Sequence, residues 1–223
     1  MRATSSMISD CKCRFLKTLV FQFPGDMPAT HVFVGALVAL LATDACALSL
    51  LRPSDSDMIV SLHNSYRAKV QPAASNMRGL KWSPVLAASA QDVADKCPTK
   101  HSVTVYGENI VYGSPFLDIR AWHDKWGSEA ANFDYQGGGR CRSGDCGHYV
   151  QMVWAAAGEF GCGVKQCPNI TIGAIKSSTA QIVVCHYSSK VYSNALPYTA
   201  GPSCSACPVG STCAPGSSLC VTN

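Results

Sequence analysis

The placement of thirteen cysteines limits most sharply what this 223-residue chain can fold into. Cys11, Cys13 and Cys46 fall within the first 46 positions, around a hydrophobic segment. The ten that follow (Cys97, Cys141, Cys146, Cys162, Cys167, Cys185, Cys204, Cys207, Cys213 and Cys220) make an even set. An even set at irregular spacing fits disulfides in an oxidising compartment better than metal or redox chemistry. The last four lie in the tail 199–223, rich in Gly, Pro and Ser and poor in bulky apolar groups. Such a stretch cannot bury a core alone, so a separate knob held by two disulfides is expected. Cys204-x-x-Cys207 has half the spacing of a zinc site, but no second CxxC or histidine partner follows it.

A disulfide framework implies export. Residues 31–42 (HVFVGALVALLA) have the length of a signal-peptide hydrophobic region and fall short of the ~20 residues that span a bilayer. Ala45-Cys46-Ala47 offers a small-x-small cleavage site, with Lys12, Arg14 and Lys17 as the positive flank. Residues 1–47 are therefore expected to be a signal-peptide region, either whole or with Met27 as the true start. The competing reading is an uncleaved anchor. A 47% hydrophobic and 14% charged composition suits a packed globule. The net charge of +4 comes without any dense Lys/Arg run, which excludes a nucleic-acid partner.

Met58, Ile59, Leu62, Tyr66 and Val70 repeat at helical spacing and predict a helix over 54–70. Ser83-Pro84 predicts a second, with Ser83 as N-cap and Pro84 at N1, whose alanines suit close packing on a sheet. Ser114-Pro115 repeats that device before the stripe Phe116, Ile119, Trp122, Trp126. A loop is expected over 134–144, a helix over 147–157, and strands over 161–166, 170–176 and 181–187. Asn169-Ile170-Thr171 is a glycosylation sequon.

HNSYR (63–67), YGENI (106–110), GHYVQMVW (147–154) and IVVCHYS (182–188) together resemble the CAP superfamily: cysteine-rich secretory, antigen-five and pathogenesis-related class-one proteins. The pattern is nearest the plant pathogenesis-related type and covers about 55–198. The resemblance implies an α+β fold, a three-layer α-β-α sandwich with a central antiparallel sheet. It also implies the disulfides Cys97–Cys167, Cys141–Cys146 and Cys162–Cys185, which spacing alone leaves open. His63 and Asn64 are expected to tie the first helix to neighbouring loops.

The resemblance further implies a cleft tetrad of His101, Glu108, Glu129 and His148. Two imidazoles with carboxylates are acceptable ligands for Zn2+, which makes His101 and His148 the candidate metal residues. No GxSxG elbow is present and the even cysteine count leaves no free nucleophile, so an enzyme is not expected. The leading expectation is a secreted protein binding a sterol, fatty acid or other lipid, with Trp122, Trp126, Phe133 and Tyr135 as ligand contacts. A second reading is an extracellular defence, virulence or signalling protein acting on a protein or membrane. The plant members' peptide-release region is similar to CHYSSKVYSNALPY, but this chain has Cys185-His186-Tyr187-Ser188 where the family commonly has Cys-Asn-Tyr-Asp. A metal-dependent hydrolase with Glu108 as general base is the third reading.

Overall fold

A computed structural model describes residues 51–222 except 115, 174, 193 and 194. The expected signal-peptide region and its three cysteines lie outside the described residues. The elements in order are α1 (Pro53–Arg67), β1 (Lys81–Trp82), α2 (Pro84–Ala94), β2 (Gly107–Gly113), α3 (Ile119–Ser128), a 3-10 turn (Glu129–Asn132), β3 (Phe133–Asp134), β4 (Arg140–Cys141), α4 (Gly147–Met152), β5 (Glu159–Ile172), β6 (Ile175–Tyr187), β7 (Ser211–Cys213) and β8 (Cys220–Thr222).

The central sheet runs β1-β5-β6-β2, antiparallel except for the two-residue β1–β5 pair. Strand alternation assigns its two faces. Ile182 and Val184 of β6 join the cluster under α2, with Ala90 and Ala94. Val183, Cys185 and Tyr187 join the larger cluster formed with α1, α3 and α4. These are the three layers of the expected sandwich. Helix α2 lies close on its face because the strand beneath offers glycine: a Cβ at Gly161 would fall on the Ala87 amide, and one at Gly163 on the Gln91 backbone. The Gln91 side chain then brackets Val164, donating to its carbonyl (3.1 Å) and accepting from its N–H (3.0 Å).

Ser83 caps α2 as its sequence predicts, accepting from the Leu86 amide. The α3 prediction needs correction. Ser114, just past the end of β2, is engaged with the Ser177 hydroxyl near the start of β6 (2.8 Å), and the helix starts later, where the Asp118 carboxylate accepts from the Ala121 amide (2.8 Å). Phe116 consequently precedes the helix and is exposed. Helix α4 also stops early, at Met152. The cause is Arg67, buried at the end of α1, which donates to the carbonyls of Arg78, Met152, Trp154 and Ala157 (2.8–3.0 Å). Those carbonyls serve a guanidinium instead of further helical turns. The three short strands expected over 161–187 are two long ones, because β5 runs on through exposed Asn169, whose φ is 49°. Residues 133–141 include the short β3–β4 pair inside the expected loop.

The tail is not a separate knob. Cys204–Cys213 and Cys207–Cys220 fasten it internally, but its backbone also bonds to residues 73–79. Gly201 N–H donates to Ala73 C=O, Ala206 N–H to Ser75 C=O, Gly79 N–H to Cys220 C=O and Cys220 N–H to Met77 C=O. Lys81 Nζ adds bonds to the Thr222 carbonyl and hydroxyl. Leu219 and Cys220 are buried, so the tail gains a core by borrowing the domain's. The other three disulfides among the described residues are Cys97–Cys167, Cys141–Cys146 and Cys162–Cys185, the pairs implied by the resemblance. Among the described residues no helix is long and apolar enough to cross a membrane.

Candidate functional site

Four segments deliver the tetrad to one place. Glu108 is fixed on the edge strand β2, opposite His186 in the β2–β6 register. His101 lies in the irregular segment before β2, with Nδ1 2.8 Å from Glu108 Oε1. Glu129 begins the 3-10 turn after α3, with Oε1 2.6 Å from His148 Nδ1, while its Oε2 accepts from the His148 and Tyr149 amides at the start of α4. The result is two His–Glu pairs whose imidazole centroids stand 6.3 Å apart.

The electrostatics follow from these contacts. Burial alone would raise the Glu108 carboxyl, but hydrogen bonds from His186, the Ser102 hydroxyl and amide, and His101 outweigh it and hold it at about 2. Burial pulls His148 down, and its bond to Glu129 and the charges of Glu129 and Asp145 more than reverse this, leaving it above its ordinary value. An ionised carboxylate only accepts, so each Nδ1 carries the proton in its pair. Nε2 of His101 and of His148 makes no hydrogen bond among the described residues.

The imidazole pair stands between two hollows. The larger, about 740 Å³, is lined by Ile110, Tyr112, Trp126, Ile170, Ile172 and Ala180, with Lys100 and Lys125. The smaller, about 300 Å³, has the more polar lining of the two and includes Ser102, Tyr106, Glu108 and Asp145. Both are lined by His101 and His148.

Behind the cleft runs a buried polar chain. Asn109 Nδ2 donates to the His148 carbonyl (3.0 Å) and the Tyr187 hydroxyl (3.3 Å). Tyr187 lies 2.8 Å from His63 Nε2, and His63 Nδ1 lies 2.8 Å from His123 Nε2. His123 Nδ1 then donates to the Ile119 carbonyl (2.6 Å). Burial drives both histidines to the neutral state: His63 falls well below its ordinary value and His123 to about 4. His63 is thus a core residue. Asn64 does tie α1 to a neighbouring segment, pairing with both the N–H and C=O of Leu80.

The four aromatics proposed as ligand contacts occupy different places. Trp122 and Trp126 are each 1% exposed. Trp126 stacks on the His148 ring (6.2 Å, 15°) and forms part of the large cleft's wall. Trp122 lies under a different hollow of about 550 Å³, beside Met58 and Phe116. Phe133 is buried against Tyr149. Tyr135 stacks on Tyr198 and its hydroxyl bonds to the Tyr198 carbonyl and the Ala200 amide. Packing and tail attachment account for Phe133 and Tyr135, and neither lines the large cleft. His123 and His186 were missed in sequence. His123 sits inside an apparently apolar stripe, and only the alternation of β6 separates His186 from its neighbours Cys185 and Tyr187.

The donor chemistry fits a divalent cation. Imidazole nitrogens bind zinc at about 2.1 Å, so two rings sharing one ion have centroids about 5–6 Å apart, close to the separation seen here. Glu129, Asp145 and His148 bring ligand-type atoms within 4.8 Å of one another, with Asp145 4.0 Å from His148 Nδ1, whereas His101 is not part of that group. The sulfurs of Cys204, Cys207 and Cys220 lie close together as well, but all are spent in disulfides and offer no thiolate.

A mixed sandwich with a His/Glu cleft and this disulfide frame defines a class of cysteine-rich α+β domains. The sequence profile of the cysteine-rich secretory protein (CAP) family matches residues 60–187, and the chain belongs to that family. It is 34% identical over 163 residues to cysteine-rich secretory protein 2 of Cavia porcellus, covering 67% of this chain and 63% of that one. It is also 34% identical to cysteine-rich secretory protein LCCL domain-containing 1 of Mus musculus, over 70% of this chain but only 34% of the relative's length. Among solved structures, the hookworm platelet inhibitor superposes with a TM-score of 0.65 at 26% identity, over 78% of this chain and 93% of that one. A zinc-bound form of NaASP2 superposes at 0.58 and 25% identity, over 70% and 90%.

Proposed function

We propose that the chain is a secreted protein that takes up a small hydrophobic ligand in the larger hollow beside the tetrad. The observation carrying this reading is the apolar lining of that hollow, about 740 Å³ in volume. Small-molecule sites commonly enclose about 300–1,000 Å³ behind mostly apolar walls with a few polar groups. Lys100 and Lys125 on the lining favour a ligand with one anionic end, so a fatty acid suits the site better than an uncharged sterol. Trp126 acts as wall rather than as a reaching contact. Five disulfides and secretory relatives support an extracellular setting, where exposed Asn169 is open to glycosylation.

The test is a saturation titration of secreted residues 48–223 with a radiolabelled fatty acid and with a radiolabelled sterol, each with zinc and with chelator. Saturable fatty-acid binding, weakened at least ten-fold by a folded Ile172→Glu variant, is the expected result. No saturable binding of either lipid overturns the reading.

A divalent cation between His101 and His148 is a second reading, favoured by their free Nε2 atoms and the 6.3 Å ring separation. A bound ion would supply positive charge beside the anionic end of a ligand. Calorimetry with Zn2+ tests it, and unchanged heats in the His101→Ala/His148→Ala double variant would remove it.

A further inference from the structure

We propose that His186 is a positioning residue of the cleft: it anchors Glu108 to the sheet, so that the His101 ring is held with Nε2 toward the cavity. The functional weight of this role rests on the cation reading above, while the positioning itself is testable without any metal. His186 is 1% exposed. Both its ring nitrogens are used. Nδ1 lies 3.0 Å from Ser89 Oγ on α2, and Nε2 lies 3.2 Å from Glu108 Oε2.

The four donors to Glu108 differ in what they are attached to. His101 Nδ1 and the Ser102 amide serve Oε1, and the Ser102 hydroxyl serves Oε2. All three come from the same irregular segment, so they bind the carboxylate to the loop that it is meant to hold. His186 is the one donor seated in a central strand, between β5 and β2. It therefore supplies the fixed end of a Ser89–His186–Glu108–His101 relay from helix α2, across the sheet, to the cleft. A group bonded directly to a ligating imidazole, here Glu108, sets its tautomer and orientation, and loss of such a partner costs about 10–100-fold in metal affinity; His186 acts one bond further out, through Glu108.

The experiment measures the His101 tautomer by long-range 15N–1H correlation in the metal-free protein, and Zn2+ affinity by calorimetry. The parent is expected to carry its proton on Nδ1 of His101. In His186→Leu, a mixture of tautomers and an affinity loss of ~10-fold are expected. His186→Asn, whose amide still donates, should recover the parent tautomer and most of the affinity. If His186→Leu does not fold, Ser89→Ala, which frees the far nitrogen of the ring, should shift the same tautomer populations by a smaller amount. A folded His186→Leu or Ser89→Ala protein with the parent tautomer overturns the proposal. If the parent binds no zinc, the cation reading fails alone, and the tautomer measurement still decides the role of His186.

Discussion

Acidification should destabilise this protein through His63 and His123, over a pH window in which its other shifted groups are silent. In the unfolded chain a histidine titrates near 6.5, whereas buried His123 titrates at about 4 and burial holds His63 well below its ordinary value. A folded-state value below the unfolded one means that the unfolded chain takes the proton first. Stability therefore falls as the pH drops below about 6.5, and the loss from His123 levels off below about 4. At about pH 4.5 the unfolded histidine is almost fully charged and His123 mostly neutral, a difference of about 2.5 kcal/mol for this one residue. His148 is shifted the other way: its contribution is fully present below about 6.5 and is lost as pH rises through its raised folded value, so it is constant in this window. Glu108 is depressed, and its contribution is lost only as pH falls from about 4.5 through about 2. Urea unfolding of the disulfide-intact protein, followed by tryptophan fluorescence between about pH 6.5 and 4.5, isolates the buried pair. His123→Phe should remove about 2 kcal/mol of the loss measured between these two pH values, whatever its effect on absolute stability. Stability that is flat across this window in the parent, or an equally steep loss in His123→Phe, would refute the argument.

Gly163→Ala should lower stability by about 1–3 kcal/mol in urea unfolding, because the added methyl meets the Gln91 backbone and lifts α2 from the sheet. Arg67→Lys should cost about 3 kcal/mol in the same assay, since an ammonium cannot reach the four carbonyls that the guanidinium fork serves. Removing Cys97–Cys167, with a sequence separation of 70, should cost about 4 kcal/mol on the chain-entropy account, and removing Cys141–Cys146, with a separation of 5, only about 2 kcal/mol. Equal losses in paired Cys→Ala variants would contradict that account.

Features governed by near neighbours were legible in the sequence. Ser83 caps α2 because the cap, the proline and the amide that it serves lie within four positions. The same pattern misled at Ser114, whose hydroxyl is claimed by Ser177, 63 residues away, and nothing local distinguishes the two serines. The end of α4 at Met152 was illegible for a related reason: it is set by Arg67, 85 residues earlier. The tetrad could be named because each member sits in a recognisable block, but its convergence depends on the β2–β6 register and on Glu129 meeting the start of α4. The attachment of the tail had no sequence signal either, being made by main-chain groups of residues 73–79.

The docking of that tail orders events in time. A polypeptide leaving the ribosome presents residues 73–81 long before residues 199–222, yet the earlier stretch completes its hydrogen bonds only against the later one. The sandwich can gather as it emerges, but the flank at residues 73–81 stays unsealed until residues 199–222 arrive and Cys207 meets Cys220. Any factor that inspects newly made chains for unpaired backbone would find it at residues 73–81 until synthesis has passed Thr222.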